Sequence, residues 1–398
     1  MTVFHDTKVD RRALRAWRLG RVREKLQERE LAGILLYDPV NIRYATDTSN
    51  MQVWTMHNAV RYAFIATDGP VIVFDFHATK HLSEGIEVVD EIRGARSYFY
   101  FGDGPLMEDR AKQFAREIDD LVRTYGGNNR RLAIDKIEPH GLLALLKRGV
   151  LVENGQEVME LARFIKNDIE IAAMQEAVDA CEAAMWRMRE VFRPGITENY
   201  LWSILNQVNA ELGGEWIETR LLTSGPRTNP WFRECNHRVI EAGDIMSFDT
   251  DLVGPGGYCS DLSRSWLCGG GKPSDEQRWL YETARRQIED NIAMLKPGLS
   301  FREISERGSP LPEDCVGNRY SVVVHGVGLC DEYPAVPYIQ DFAHSGYDGH
   351  LEENAVVCVE SLVGRVGGRE CIKLEEQVLI TADGARRLSS FPFEDHWL

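Results

Sequence analysis

Apolar residues first recur at helical spacing, over roughly the opening thirty positions. Leu14, Trp17, Leu19, Val22 and Leu26 share one broad face, and arginines fill much of the rest. The pattern predicts a helix whose basic side is solvated. From Gly33 the period changes. GILLY is a short apolar run closed by Asp38-Pro39, and AFIAT and PVIVFDF flank the turn Asp68-Gly69-Pro70, so three strands are predicted. A charge-rich helix over 108–125, a strand at RLAIDK, a helix over 139–148 and a strand at VLVEN continue an alternating β/α order. No glycine loop suited to phosphate follows any of these strands, which argues against a nucleotide-binding domain.

Near 155–167 the texture shifts to long helices, which places a domain boundary there: 1–160 and 161–398. A helix over 168–192 begins at Asp168, read as its N-cap. A second begins at Thr197, just after Pro194-Gly195-Ile196. About 100 residues later the phrase returns as Lys296-Pro297-Gly298-Leu299-Ser300 before FREISER. Helix, P-G-hydrophobic-S/T and helix, occurring twice, suggest an internal duplication or the chance recurrence of a common helix-ending turn. Apolar strands lie between and after: IMSFDTDLV, YCSDLSRSWL, YSVVVHGV, NAVVCVESLV and IKLEEQVLIT.

Composition narrows the function classes. A chain of 398 residues is ample for two domains, and 43% hydrophobic with 27% charged residues is ordinary for a soluble globular protein. A formal net charge of -16 disfavours nucleic acid and anionic membranes as partners. No run approaches a membrane span and the N-terminus has no apolar signal region, so a cytoplasmic protein is expected. The eight cysteines form no C-x-x-C pair, which fits buried thiols in a reducing compartment rather than a zinc knuckle.

The chemistry concentrates in the second half. In SFDTDLVGPGGYCSDLSRSW, Asp249 and Asp251 alternate along a predicted strand and so share a face, and the turn GPGG brings Asp261 back beside them. Three converging carboxylates repel one another unless a cation lies between them. His325 ends the apolar run SVVVHGVG, and Glu360 ends AVVCVE. Glu375 and Glu376 stand side by side in IKLEEQVLI. Alternation sends one to each face without saying which face carries a site. Five carboxylates and one imidazole on strands form an oxygen-rich set suited to two transition-metal ions, which in paired sites stand about 3.5–4 Å apart.

These residues, in this order, resemble the pita-bread superfamily of aminopeptidase P, prolidase, methionine aminopeptidase and creatinase. RFIKNDIEIAAMQEA looks like the start of its catalytic domain, and the two P-G turns match its pseudo-symmetric halves. The fold implied is α+β: a C-terminal pita-bread domain behind an N-terminal α/β domain of creatinase type. Carried over, the metal ligands are Asp249, Asp261, His325, Glu360 and Glu375. The family's last Glu stands six residues before a Thr, here Thr381, which selects Glu375. Two departures bear on the reaction. The peptidases' phrase G-P-N-a-x-x-H is replaced by SGPRTNPWFREC, with Trp231 at roughly the histidine's place. Their G-L-x-x-H-E is replaced by GVGLCDEYP, with Asp331 and Glu332.

With Asp249-Thr250-Asp251, GGEWIETRLL-x-SGPRTNPWF and HGVGLCDE, the chain resembles the DddP-type lyases of dimethylsulfoniopropionate, although those usually carry a longer N-terminal leader. The resemblance implies six ligands including Asp251, two divalent ions, iron rather than manganese, cobalt or zinc, and a homodimer. Its substrate is a small sulfonium carboxylate. Asp331 is then the general base, and Tyr320, Trp231 and a partner subunit's Trp54 are the aromatic groups for the sulfonium, by cation–π attraction. The rival expectations are a hydrolase of the same fold, acting on an Xaa-Pro peptide or a small amide such as ectoine, and a binding module without catalysis.

Overall fold

A computed structural model describes residues 9–395. It divides into two compact units, Val9–Arg163 and Phe164 onward, a boundary three residues beyond the expected one. Among the described residues no helix is long and apolar enough to cross a membrane.

The first unit is built on a six-stranded mixed sheet of β1 (Gly33–Leu36), β2 (Tyr62–Ala66), β3 (Val71–Asp75), β4 (Glu91–Gly94), β5 (Arg131–Ile134) and β6 (Leu151–Asn154), in the order β4-β3-β2-β1-β5-β6. Strands β1, β2 and β3 are buried throughout, as their unbroken apolar runs require. The opening helix runs Arg11–Glu28, capped by Asp10. Its basic face is not wholly solvated. Arg18 is fully buried and pairs with Asp47, while Trp17 is only half-buried. Strand β4 has no apolar pattern (EIRG, exposed to half-buried), which is why the sequence reading passed over it.

In the second unit two long helices, Asp168–Val191 and Asp275–Met294, back three sheets. The first helix is capped by Asn167, not Asp168: Asn167 accepts from Glu170 N, leaving Asp168 within the first turn, where a carboxylate favours the helix dipole. Thr197 caps the next helix as expected. Strands β7 (Trp216–Ile217), β8 (Leu222–Ser224), β9 (Ile245–Asp249), β10 (Leu252–Val253), β11 (Cys259–Ser260) and β12 (Ser263–Leu267) make two three-stranded sheets, β11-β10-β7 and β12-β9-β8. The third sheet holds β13 (Val322–Val327), β14 (Asp331–Pro337), β15 (Val356–Val363), β16 (Ile372–Thr381) and β17 (Gly384–Arg387), in the order β14-β13-β15-β16-β17.

The suspected duplication is visible in the hydrogen bonds. Gly195 N bonds Ile240 O and Ile240 N bonds Ile196 O; Gly298 N bonds Leu351 O and Leu351 N bonds Leu299 O. Both glycines have positive φ, +94° and +81°, as the turn demands. Strand β9 begins five residues after Ile240, and β15 five residues after Leu351. Asp249 and Glu360 are then each the fifth residue of their strand, opposite Ser263 of β12 and Glu375 of β16.

Candidate metal centre

Each acidic side chain reaches the centre for a local reason. Asp249 ends β9, where its partner Ser263 places Oγ 2.7 Å from Asp249 Oδ1. Asp251 does not continue that strand, contrary to the expected alternation. The chain bends there, with Asp251 at φ +36°, and resumes as β10. The bend brings Asp251 N to 3.4 Å from Asp261 Oδ1, and Thr219 Oγ1 donates to Asp251 Oδ2 at 2.6 Å. Thr250 staples it: Oγ1 donates to Ser260 O and accepts from Leu262 N, both at 2.9 Å. Asp261 lies between β11 and β12, its N–H bonded to Gln377 Oε1. One oxygen each of Asp249, Asp251 and Asp261 lies within 4.8 Å of the others.

The other half supplies regular strands. His325 sits on β13, and Glu360 and Glu375 face each other across β15 and β16. Glu376, one residue on, turns away and pairs with buried Arg264, so the side-by-side glutamates divide as the family register requires. His325 Nδ1 donates to Gly326 O at 3.0 Å, since a carbonyl can only accept. That leaves Nε2 aimed at Glu360 Oε1 and Glu375 Oε1, each 3.4 Å away, and at Asp261 Oδ2, 3.7 Å away. Both Glu Oε1 atoms are buried with no hydrogen-bond partner among the described residues. A nitrogen lone pair facing bare carboxylate oxygens is repulsive unless a proton or a cation lies between them. The donor set and its two orphaned oxygens therefore fit a divalent ion, and the aspartate trio beside them fits another.

Electrostatics tell the same story. Burial, set against Lys373, raises Asp249 to about 6; burial and then Glu375 raise Glu360 to about 7. Asp251 and Asp261 are also raised, by burial and by their acidic neighbours. Burial would lower His325, but Asp331, Glu360 and Glu375 lift it well above its ordinary range. Glu375 alone is held low: burial opposes ionisation, and Lys373 and His325 overcome it.

Lys373 was missed. It is fully buried, and its Nζ lies 3.1 Å from Asp249 Oδ2, 2.6 Å from Glu360 Oε2 and 3.0 Å from Glu375 Oε2. The signal was available, because Lys373 shares the face of Glu375 by alternation in IKLEEQ. Cys358, opposite His325 in the β13–β15 ladder, also brings Sγ within 4.8 Å of donor atoms of Asp261, His325 and Glu375.

The remaining expected residues divide between the units. Asp331, at the start of β14, points an exposed carboxylate to 3.7 Å from His325 Nδ1, while Glu332 turns inward to buried Lys166 at 3.1 Å. A Cβ at Gly328 would meet the Glu332 carboxylate at 2.4 Å, so a larger residue there would displace that carboxylate. Tyr320 lies with its ring centroid 4.7 Å from Lys373 Nζ and stacks on Phe232, which was also missed. Trp231 is buried in a small cluster with Leu221, Leu362 and Cys371, against which Tyr320 packs. Trp54 belongs to the first unit, on the short helix Gln52–Thr55, edge-on to Phe76.

Residues 172–382 match metallopeptidase family M24, and residues 18–165 match the creatinase/prolidase N-terminal domain. Dimethylsulfoniopropionate lyase DddP of Roseovarius nubinhibens is 43% identical over 390 residues, 97% of this chain and 87% of that protein. The chain belongs to the DddP branch of family M24. The DddP lyase of Roseobacter denitrificans is similar to the same degree. Xaa-Pro dipeptidase of Pyrococcus furiosus is 24% identical over 83% of this chain and 94% of its own length. Among solved structures, the Xaa-Pro dipeptidase from Bacillus anthracis shares the fold with a TM-score of 0.75 at 21% identity, covering 96% of this chain and 99% of its own. Membership in M24 implies divalent metal ions, and the cluster described above is a candidate for holding them.

Proposed function

We propose that this protein is a metal-dependent lyase that cleaves dimethylsulfoniopropionate to acrylate and dimethyl sulfide by β-elimination. The observation that carries this reading is Asp331, a solvent-reachable carboxylate beside His325, in a chain 43% identical to lyases of that substrate. Asp249, Asp251, Asp261, His325, Glu360 and Glu375 hold two divalent ions, iron by resemblance. When bound, such ions supply Lewis acidity to the substrate carboxylate and stabilise negative charge on the adjoining carbon.

The chain's own groups do the rest. Asp331 takes the proton from the carbon next to the carboxylate. The C–H electron pair becomes the new C=C bond, the C–S bond breaks, and its electrons leave with sulfur as neutral dimethyl sulfide. No acid is needed for that leaving group. Trp231, with Tyr320 at the edge of its cluster, offers aromatic surface to the sulfonium, at about 0.5–2 kcal/mol per contact. The homodimer, Trp54 serving the partner's site, and cytoplasmic residence complete the proposal; light scattering that gives a monomer would remove the first two.

The test is Asp331→Ala, assayed by gas chromatography for dimethyl sulfide together with metal analysis. General-base catalysis contributes about 10²–10⁴-fold. Turnover should drop by that order while bound metal stays unchanged. Full activity in the variant would take Asp331 out of the reaction, and cleavage of an Xaa-Pro peptide or ectoine without dimethyl sulfide release would favour a hydrolase.

A further inference from the structure

The buried ammonium of Lys373 has no place in the elimination, yet it touches three of the six proposed ligands. It contacts only their outer oxygens: Asp249 Oδ2, Glu360 Oε2 and Glu375 Oε2, with Ser263 Oγ as a fourth neighbour at 2.8 Å. The inner oxygens, Glu360 Oε1 and Glu375 Oε1, stay unpartnered and converge on His325 Nε2. A lysine so placed orients the carboxylates without occupying the space between them.

The charges point the same way. Asp249, Asp251, Asp261, Glu360 and Glu375 bring five negative charges into one buried site. Two divalent ions neutralise four, and Lys373 supplies the fifth. With the ions gone, Lys373 is the only lysine or arginine within 4 Å of Asp249, Glu360 and Glu375 among the described residues. Carboxylates forced together without a counter-charge repel strongly in so dry a place.

We infer that Lys373 is a built-in counter-ion, a positioning residue that lets the site fold before metal arrives and keeps the inner oxygens free to receive it. This rests on the reading that the cluster holds divalent ions. It implies that removing the charge harms the metal-free protein more than the loaded one, because bound ions take over most of the neutralisation.

The experiment is calorimetry on the full chain, stripped with chelator and then reloaded with manganese(II), for wild type, Lys373→Met and Lys373→Arg. Breaking a buried ion pair in a domain of this size should lower the metal-free midpoint of Lys373→Met by about 10 °C. Manganese should restore most of that loss, and Lys373→Arg, which keeps the charge, should track wild type in both states. If Lys373→Met can be obtained only with metal present and unfolds on stripping while Lys373→Arg does not, the inference also stands. Equal losses with and without manganese would reduce Lys373 to packing and overturn it, as would no loss at all. A wild type that takes up no manganese and shows no shift would instead sink the metal reading beneath it.

Discussion

The two halves of the second unit build their share of one site from the same plan with opposite means. In each, a P-G turn leads to a strand whose fifth residue is acidic, Asp249 in β9 and Glu360 in β15. In each, that residue faces the second strand of a pair, at Ser263 in β12 and Glu375 in β16. Two residues before these lie Asp261 in one half and Lys373 in the other, an acid matched by a base. One residue after them, Arg264 and Glu376 pair with each other. The first half uses short aspartates, and so the backbone must travel to the centre: the ladder stops at Asp249 and the chain bends at Asp251. The second half uses longer glutamates on unbroken strands and needs no distortion. Side-chain reach decides where the backbone is strained.

The most severe break in this comparison is Glu375→Gln, because Glu375 belongs to both halves. Its Oε1 faces His325, while Oε2 lies 2.9 Å from Ser263 Oγ and 3.0 Å from Lys373 Nζ. Outer-shell partners of a metal cost about 10–100-fold. A carboxylate whose two oxygens face His325 on one side and Ser263 and Lys373 on the other should cost more than about 100-fold in turnover and should lose metal in parallel, measured by elemental analysis beside the dimethyl sulfide assay. Turnover lost with the metal complement intact would mean that Glu375 acts on substrate and not on the ions.

Acidity gives the next largest effect, and it sharpens the contrast between Glu375 and the rest. In the metal-free protein Asp249 at about 6 and Glu360 at about 7 hold protons that the unfolded chain releases near 4. The folded state therefore binds more protons between about pH 4 and 7. Its stability is highest at the acid end of that window and falls as pH rises through it, by roughly 3 kcal/mol for each group. Glu375, held low, works in the other direction: its contribution is present at neutral pH and is lost only as pH falls below the ordinary carboxylate range. Urea unfolding with chelator should give lower stability at pH 7.5 than at pH 5. Added metal should flatten that slope, since the ions replace the protons. A chelated protein that is more stable at pH 7.5 would show that the raised groups do not dominate.

Much of this was legible in the sequence, and unevenly so. The apolar runs GILLY, AFIAT and PVIVFDF became β1, β2 and β3 because buried strands leave little ambiguity. The order D-x-D, D, H, E, E picked out side chains that the fold brings together, because acids inside apolar strands are costly without a purpose. What could not be read was direction. Alternation placed Asp251 on the strand of Asp249, but the positive φ at Asp251 belongs to a bend that only the folded partner segments hold. Alternation puts Lys373 on the face of Glu375, but its burial depends on β12 packing over β16, which no local pattern shows. Strand β4, half-exposed and polar, carries no period at all. Trp54 was named by resemblance alone, and the fold gives it a ring contact with Phe76.

Thr250 is where the bent half is pinned. Its hydroxyl donates to Ser260 O and accepts from Leu262 N, whereas the corresponding Ser361 of the second half donates to Gln287 Oε1. Thr250→Val keeps the shape, removes both bonds and leaves a buried N–H unsatisfied, at about 1–3 kcal/mol. Chemical denaturation of the metal-free protein should show that loss. A neutral result would mean that the bend is held by Asp251 and Thr219 without the staple.

The smallest effect separates charge from backbone at Asp251. Asn tolerates the left-handed conformation nearly as well as Asp, whereas Ala does so at about 1–2 kcal/mol. Asp251→Asn should therefore weaken metal binding while leaving metal-free stability near that of wild type. An uncharged amide even works in its favour, since burial first, and then Asp249 and Asp331, disfavour the charged Asp251 carboxylate. Asp251→Ala should weaken metal binding to a similar degree and also lower metal-free stability relative to Asp251→Asn by about 1–2 kcal/mol. If the two variants unfold alike, the positive φ costs nothing and the bend is not strained. The difference between the halves would then lie in side-chain length alone, with no backbone energy stored in the first of them.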